Sequence, residues 1–256
     1  MDEPSADPFR DRRALITGGA VRLGRATALA LGRSGAHLAI HYNSSGGAAD
    51  ELCAELRSMG VEAVSVQSDL DDPRESEGLF HQAWEALGGL DYLVNNASIF
   101  PAGRLEHADL EEDLYPNIRI NAWSPFILMR AFWRKVREEE CEGSVVNLLD
   151  SRLVGGDLAH APYHLSKAML AELTTLGALE FAPSLRVNGV APGAILPPEG
   201  QDDEYLEAIT SDLPLGRRGY PDDIADAILY LLRAAFVTGQ VVFVDGGRHL
   251  RLGGST

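Results

Sequence analysis

An acid, a phenol and an amine stand at fixed distances in one stretch of the chain. Asp150 precedes Tyr163 by thirteen residues, and Lys167 follows Tyr163 by four. Residues four apart lie on one face of a helix, so the amine would lie beside the phenol. A nearby positive charge favours the phenolate, and a Tyr that titrates near ~10 needs that help to act as an acid at neutral pH. The spacing indicates proton transfer, and its weight depends on the motifs around it.

A glycine-rich turn follows the first apolar run of the chain. The segment Thr17–Gly24 reads TGGAVRLG and opens a helical stretch. Glycines let the backbone approach a pyrophosphate, and the helix amino terminus offers free N–H groups and a positive potential. A turn that merely links strand to helix is the alternative, but a place in the first β–α unit favours nucleotide binding. The candidate cofactor contacts here are Thr17, Gly18, Arg22, Leu23 and Gly24.

The second predicted strand ends in small polar residues, in the run His41-Tyr42-Asn43-Ser44-Ser45. NAD-binding folds usually place an Asp or Glu here to hold the ribose 2′-hydroxyl. A carboxylate would repel a 2′-phosphate, whereas small polar side chains and nearby arginines suit it. The sequence therefore favours NADPH over NADH, although a turn that caps the next helix is a compatible reading. The candidate contacts are His41, Asn43, Ser44 and Ser45.

Strand-like and helix-like runs alternate along the chain. The predicted strands are 13–17, 37–42, 61–67, 90–95, 144–149, 186–191 and 240–244, and the predicted helices are 23–33, 48–59, 73–87, 114–140, one that carries Tyr163 and Lys167 to about 180, and 221–233. An irregular acidic insert is predicted over 194–215. The alternation predicts an α/β fold, a single Rossmann-type doubly wound domain over 11–256. Its seven-stranded parallel sheet would carry helices on both faces, after a flexible tail over 1–10.

Composition excludes several classes of partner. The 256 residues are 45% hydrophobic and 23% charged, an ordinary balance for a soluble globular protein. A formal net charge of −16 argues against nucleic acid and anionic membranes as partners. Cys53 and Cys141 are too few for a disulfide framework, and no metal-ligand spacing occurs, so we expect no metal and a reduced, cytoplasmic setting. The segment 12–49 holds five Arg and no Asp or Glu, which suggests a local anion site.

Five motifs, taken together, resemble the short-chain dehydrogenase/reductase family over nearly the whole chain. They are Thr17–Gly24, Asn95-Asn96-Ala97, Asn121, the Tyr163–Lys167 pair and Pro192-Gly193. The resemblance implies that Tyr163 donates a proton, that Lys167 lowers its pKa and binds the nicotinamide ribose, and that Asn121 holds a water linking Lys167 to solvent. It also implies a homotetramer, and cofactor contacts by Asp69, Leu70, Asn95, Ala97, Ser98, Pro192 and Gly193.

Two positions depart from the common pattern of that family. Arg22 replaces the middle glycine of its Thr-Gly-x-x-x-Gly-x-Gly motif, and Asp150 replaces the serine expected thirteen residues before the Tyr. A carboxylate facing a carbonyl oxygen is repulsive unless protonated, which argues against ordinary ketone reduction. With Ser98 and Phe100, both departures resemble the pteridine reductase subfamily. That resemblance implies that Phe100 stacks a pterin, that Ser98 contacts pterin and cofactor, and that Arg22 bridges a cofactor phosphate and a pterin oxygen.

Each of these assignments has a plainer alternative. Phe100 would equally serve as a core or lid hydrophobe, and Ser98 as a turn residue. The acidic segment 194–215 resembles the family's mobile substrate loop, but charge runs are as a rule solvated loops. Arg251 would either be exposed or reach a neighbouring subunit's site.

The sequence thus predicts an NADPH-dependent reductase of pterins, a small-molecule substrate class. Asp150 with Tyr163 would pass a proton to a ring nitrogen while hydride attacks the adjacent carbon. One alternative is a general carbonyl or 3-oxoacyl-thioester reductase in which Ser151 or a water replaces the missing serine. A further alternative is a non-enzymatic NADP(H) sensor, against which the intact Asn121, Tyr163 and Lys167 argue.

Overall fold

Strands and helices alternate in the computed structural model, which describes residues 7–107, 109–197, 200 and 202–251. The strands are β1 Arg13–Ile16, β2 His37–Tyr42, β3 Ala63–Gln67, β4 Tyr92–Asn95, β5 Gly143–Leu148, β6 Leu185–Pro192 and β7 Val241–Val244. The α-helices are α1 Arg22–Arg33, α2 Gly46–Ser58, α3 Pro73–Leu87, α4 Leu110–Ile118, α5 Ser124–Glu138, α6 Ala161–Glu180, α7 Asp203–Thr210 and α8 Pro221–Arg233. A π-helix, Arg119–Trp123, joins α4 to α5.

The strands form one parallel sheet in the order β3-β2-β1-β4-β5-β6-β7, which confirms the predicted fold. The strand order reverses between β1 and β4, because β1 pairs with β2 on one side and with β4 on the other. In an open α/β sheet, a crevice for ligands forms at such a switch point, outside the carboxyl ends of the strands.

Apolar side chains cover both faces of the sheet. Leu15 and Ile16 of β1 point to opposite faces, and both are fully buried. Helices α1, α2 and α8 pack on the face of Ile16, and the buried Leu31 of α1 belongs to the same apolar cluster. Helices α3 and α5 pack on the face of Leu15, where Phe80 and Phe132 meet. This two-sided burial explains why the central strands read as continuous apolar runs.

Helix α3 shows how local sequence sets the bounds of an element. Asp72 stands at its amino-terminal cap, and its side chain accepts a hydrogen bond from the backbone N–H of Arg74 at 2.8 Å. Pro73 occupies the first turn, where its missing N–H costs no helical bond. Gly88 ends the helix in the left-handed region, with φ of 69°.

The predicted unbroken helix over 114–140 is wrong in one respect. The helical segment runs from Leu110 to Glu138, but its turns widen into the π-helix Arg119–Trp123. Pro116 lies inside α4 just before that widening. Such π-segments occur often at functional sites, and this one carries the buried Asn121.

The sequence predicted an irregular acidic insert over 194–215, and that prediction is wrong in part. The insert contains α7, whose cap residue Asp202 accepts a hydrogen bond from the N–H of Tyr205 at 3.1 Å. Asp203 and Glu204 stand in the first turn, where negative charge suits the positive end of a helix. Residues 198, 199 and 201 of the insert lie outside the described residues.

The predicted flexible tail over 1–10 extends too far into the chain. Phe9 is 3% exposed and meets the ring of Tyr92 edge-on, with ring centroids 5.6 Å apart. An aromatic side chain that leaves water in this way ties its backbone to the core. Residues 1–6 of the predicted tail lie outside the described residues.

Candidate active site

The phenol and the acid meet at the carboxyl edge of the sheet. Asp150 follows β5, and Tyr163 stands in the first turn of α6, just after Pro162. The Tyr163 hydroxyl donates a hydrogen bond to Asp150 Oδ2 at 2.9 Å. Asp150 Oδ1 accepts from the backbone N–H of Arg152 at 2.7 Å, which fixes the carboxylate. The predicted pair is therefore in direct contact.

The phenol is held in its protonated form. Burial raises the pKa of Tyr163 well above its ordinary value, and the neighbouring Asp150 carboxylate adds to that shift. Burial and the like charge of Asp150 both penalise the phenolate and decide the net direction, and a lowering effect of Lys167 on this pKa stays a prediction. At neutral pH the Tyr163 hydroxyl therefore carries the proton that it would donate.

Lys167 lies beneath Tyr163 in the core. Its ammonium is 5.7 Å from the Tyr163 ring centroid, and Nζ donates a hydrogen bond to the carbonyl oxygen of Leu148 at 2.7 Å. Burial lowers the pKa of Lys167 to about 8, although Asp150 acts in the opposite direction. The amine is thus a buried group that changes charge just above neutral pH.

The buried Asn121 side chain forms hydrogen bonds to three segments of the protein. Its Oδ1 accepts from the N–H of Ile99 at 2.9 Å, while Nδ2 donates to the Ile99 carbonyl at 3.0 Å. Nδ2 also lies 3.0 Å from Ser166 Oγ on α6 and from Asn117 Oδ1. These bonds hold the loop after β4 against α6, and the water-holding role of Asn121 stays a prediction.

The glycine turn after β1 is tightly packed. Gly18 has φ of +58°, and a Cβ there would lie 3.0 Å from the Cα of Ala97. A Cβ on Gly24 would overlap the carbonyl oxygen of Gly18, so both positions need glycine. Thr17 is buried, and its Oγ1 accepts from the N–H groups of Asn96 and Ala97 at 2.9 and 3.0 Å. Thr17 and Gly24 thus shape the turn and do not line its cavity.

Arg22 takes the conformation of the glycine that it replaces. Its φ is +52°, in the left-handed region that a side chain rarely adopts. Its Nη2 donates to the carbonyl oxygen of Pro197 at 2.9 Å, which joins the glycine turn to the insert. Of the other arginines of segment 12–49, Arg12 pairs with Asp91 at 2.6 Å and Arg25 with Glu55 at 2.5 Å. Carboxylates thus neutralise two of the five arginines, while Arg22, Arg25 and Arg33 line one small cavity, and an anion site in this segment stays a prediction.

His41 supports the turn from beneath. Its Nδ1 accepts from the N–H of Gly18 at 3.0 Å, and Nε2 lies 3.1 Å from the carbonyl oxygen of Ser68. Burial lowers the pKa of His41, so the ring is neutral with its proton on Nε2. Both nitrogens are engaged, which makes His41 a wall of the cavity and leaves it no hydrogen-bonding group for a cofactor.

A cavity of about 420 Å³ runs along the carboxyl edge. Its walls include most of the predicted cofactor contacts, namely Gly18, Arg22, Leu23, His41, Asn43, Ser44, Ser45, Asp69, Leu70, Ala97, Ser98 and Tyr163, together with the predicted substrate contact Phe100. Asn43 and Ser44 are exposed at one end, beside the amino terminus of α2. Wall residues that the sequence did not indicate include Val21, Tyr42, Asn96, Ile99 and Ile120.

Asn96, and not the predicted Asn95, lines the larger cavity. The Asn95 side chain is buried and donates to Asn147 Oδ1 at 2.8 Å, away from the cavity. Asn96 Nδ2 donates to the carbonyl oxygens of Thr17 and Gly18, both at 2.9 Å. Successive side chains of a strand point to opposite faces, and the loop begins between these two residues. Pro192 is likewise buried, at the end of β6.

A second cavity, of about 220 Å³, adjoins the first at Tyr163. Its walls include three predicted substrate contacts, Arg22, Phe100 and Asp150. Gly193, a predicted cofactor contact, lines it as well. The residues that the sequence missed are Arg152, Ala194, Leu196, Tyr205, Leu206, Ile209 and Arg248. Two signals were available for this set: Arg152 lies two residues after Asp150, and the insert over 194–215 resembles a substrate loop. Arg248, which follows β7, had no such signal.

Ser151 cannot stand in for the serine that Asp150 replaces. Its side chain is 1% exposed, and Oγ is buried without a hydrogen-bond partner. Ser151 lines neither cavity. Arg251, whose reach to a neighbouring subunit was one expectation, lies 3.8 Å from Asp212 of its own chain. The subunit contact and the tetramer stay predictions.

The described residues contain neither a metal-ligand cluster nor a membrane-spanning helix. No group of three or more His, Cys, Asp or Glu within the described ranges is arranged to hold a metal ion. None of the helices in those ranges is long and apolar enough to cross a membrane.

Known proteins resemble this chain over almost its whole length. A family model described as enoyl-(acyl carrier protein) reductase matches residues 19–249. The L-rhamnose 1-dehydrogenase (NAD(P)(+)) of Sphingomonas sp. is 33% identical, over 94% of this chain and 97% of that protein. The 3-oxoacyl-[acyl-carrier-protein] reductase of Synechocystis sp. is 33% identical, over 91% of this chain and 95% of that protein.

Solved structures of other proteins also match almost the whole chain. FolM alternative dihydrofolate reductase 1 from Brucella canis, complexed with NADP, has a TM-score of 0.87 and 33% identity, covering 95% of this chain and 96% of that chain. The corresponding Brucella suis protein, also with NADP, has a TM-score of 0.85 and 33% identity, covering 93% and 95%. Relatives of similar identity thus differ in reaction, so the side chains of the site must distinguish among substrates.

Proposed function

The chain belongs to the short-chain dehydrogenase/reductase family, and we propose that within it the protein reduces dihydropterins with NADPH. One observation carries the choice of substrate. Asp150 stands in hydrogen-bond contact with Tyr163 where a carbonyl-reducing enzyme needs an uncharged donor. A carboxylate repels a carbonyl oxygen but can relay a proton toward a basic ring nitrogen.

The residues of the larger cavity suit NADPH. Gly18 and Gly24 let the turn pack closely against Ala97 and Asn96 just before α1, and the amino terminus of a helix suits a pyrophosphate. No carboxylate ends β2, and the exposed Asn43 and Ser44 beside α2 suit a 2′-phosphate. Asp69 lies on the same wall and would meet the adenine. When bound, NADPH supplies the hydride.

The smaller cavity suits a flat heteroaromatic ring. Phe100 is 39% exposed and stands edge-on to Tyr163, with ring centroids 4.6 Å apart at 88°. A ring that stacks on Phe100 would lie beside the Tyr163 hydroxyl, with Arg22 lining the same space. The similar FolM proteins are named alternative dihydrofolate reductases, which is consistent with such a substrate.

The reaction adds one hydride and one proton across a C=N bond. The carbon gains a C–H bond, and Tyr163 gives its hydroxyl proton to the adjacent nitrogen. Asp150 Oδ2, 2.9 Å from that hydroxyl, returns a proton that it has taken from solvent. The Lys167 ammonium opposes the build-up of negative charge on Tyr163 during the transfer.

A substrate panel tests the proposal. Loss of NADPH absorbance would be followed with a dihydropterin, with dihydrofolate and with a 3-oxoacyl thioester, and formation of NADPH from NADP+ would be followed with a sugar such as L-rhamnose. We expect turnover of the dihydropterin and of dihydrofolate. The kcat/KM for the thioester and for the sugar should be at least tenfold lower (about 1.4 kcal/mol). Turnover of the thioester without turnover of any pterin would refute the proposal.

Cofactor choice depends on the end of β2. Ser44→Asp is expected to raise KM for NADPH by about tenfold or more, because a carboxylate would face the 2′-phosphate. KM for NADH should change little or fall, since the new carboxylate can accept from a 2′-hydroxyl. Ser44→Asn is the neutral control, and steady-state kinetics with both cofactors is the measurement. If the ratio of the KM for NADPH to the KM for NADH did not change, the 2′-phosphate would have to bind elsewhere.

Activity should decline at alkaline pH. The pKa of Lys167 is about 8, and the ammonium is the form present below it, so kcat should fall as pH rises through that value. Tyr163 keeps its proton over the same range because its pKa lies well above the ordinary one. A pH–rate profile from about pH 6 to about pH 10 at saturating substrate is the test. A flat profile would contradict a role for the ammonium.

A further inference from the structure

A charged cluster in the loop ahead of α6 takes no part in the proton relay. Asp157 Oδ2 accepts from the Arg152 guanidinium at 2.5 Å and from His160 Nδ1 at 3.0 Å. Its Oδ1 accepts from the backbone N–H groups of Ala159 and His160 at 3.0 and 3.2 Å. Only 12% of the Asp157 side chain is exposed. Four donors therefore converge on one shielded carboxylate.

The cluster ends on the Phe100 ring. The His160 imidazole stacks on it, with ring centroids 3.9 Å apart and planes 16° from parallel. The guanidinium carbon of Arg152 also lies over the Phe100 ring, 5.1 Å from its centroid, and Arg152 shares the Asp157 oxygen with the imidazole. Phe100 itself lies in a loop without regular secondary structure. Its ring orientation therefore depends on these neighbours.

The backbone joins the same two loops. The N–H of Gly103 donates to the Ala159 carbonyl oxygen at 2.8 Å, and the N–H of Ala161 donates to the Gly103 carbonyl oxygen at 2.8 Å. Burial acts to raise the pKa of Asp157, but Arg152 and His160 outweigh it and hold that pKa below its ordinary value. The carboxylate is thus charged whenever the enzyme works near neutral pH.

We propose that Asp157 is a positioning residue that sets the affinity for the flat substrate through His160 and Phe100. The imidazole covers one face of the Phe100 ring, so a pterin would stack on the side of the ring that lines the smaller cavity, next to Arg152. Asp157 fixes the imidazole by its Nδ1–H and thereby the plane of the platform. The inference rests on the proposed function, because a stacking platform matters only for a flat ring.

The test separates positioning from general stability. Asp157→Asn keeps the size of the side chain but loses the charge that binds Arg152 and His160. We expect KM for a dihydropterin to rise about tenfold, the scale of one hydrogen bond to a charged group, with KM for NADPH unchanged. His160→Phe should keep a near-normal KM, since a stacked phenyl ring needs no Asp157. The double variant Asp157→Asn/His160→Phe should recover most of the affinity that Asp157→Asn loses.

Glu138→Gln is the matched control, because it removes an exposed ion pair with Lys135 on α5. Thermal unfolding of every variant shows that it is folded. A wild-type KM in Asp157→Asn, an equal rise in KM for NADPH, or no recovery in the double variant would each overturn the inference alone. Absence of dihydropterin turnover by the wild-type enzyme would overturn the proposed function and this inference with it.

Discussion

Tyr163→Phe is expected to lower kcat for dihydropterin reduction by about 10³-fold, within the usual range for loss of a general acid. The change removes the hydroxyl that donates to Asp150 and leaves the ring that meets Phe100 edge-on. KM for the pterin and the dissociation constant for NADPH should stay near the wild-type values. Single-turnover kinetics with pre-bound NADPH measures the chemical step directly.

Tyr230→Phe provides the control for that variant. Tyr230 lies on α8, is half exposed and lines neither cavity of the site. Its loss of a hydroxyl should leave kcat unchanged. If Tyr163→Phe kept more than about a tenth of the wild-type kcat, another group would be the proton donor.

Asp150→Ser is expected to exchange one substrate class for another. Dihydropterin reduction should fall about 100-fold, because the group that returns a proton to Tyr163 is gone. Reduction of a 3-oxoacyl thioester should rise at least about tenfold, because a hydroxyl can donate to the carbonyl oxygen that the carboxylate repels. Initial rates with both substrates at equal cofactor concentration measure the two changes.

Ser151→Ala is the matched control, one residue along the chain. Its Oγ is buried and without a partner, so removing it should leave both activities unchanged. If Asp150→Ser left pterin reduction intact, Asp150 would have no part in the relay. If the wild-type enzyme reduced the thioester and Ser151→Ala did not, the carbonyl-reductase alternative would stand.

The fold was predictable because it depends on short-range patterns. Apolar runs bounded by turn residues located all seven strands, and their alternation with helices required parallel pairing. The π-helix at Asn121 was not predictable, since it follows from packing of that side chain against Ile99 and Ser166. Burial of Phe9 depends on Tyr92, more than eighty residues away, so the acidic composition of the tail concealed it.

The site was predictable where a residue type is required by chemistry at a fixed chain distance. Asp150 and Tyr163 met as their spacing and the family resemblance implied. The role of His41 and the direction of the Tyr163 pKa were not predictable, because each depends on burial and on partners distant in sequence. Arg152 and Tyr205 reach the cavity through loop and helix positions that no periodic pattern encodes.

Transfer of deuterium from labelled NADPH tests the central claim most directly. The enzyme would be given a dihydropterin and a 3-oxoacyl thioester in equal amounts, with NADPH carrying deuterium at both C4 positions of the nicotinamide. Mass spectrometry of the products then shows which substrate received the hydride. The account predicts one deuterium on a ring carbon of the tetrahydropterin and little label in the thioester product. Label in the hydroxyacyl thioester with none in the pterin would contradict it.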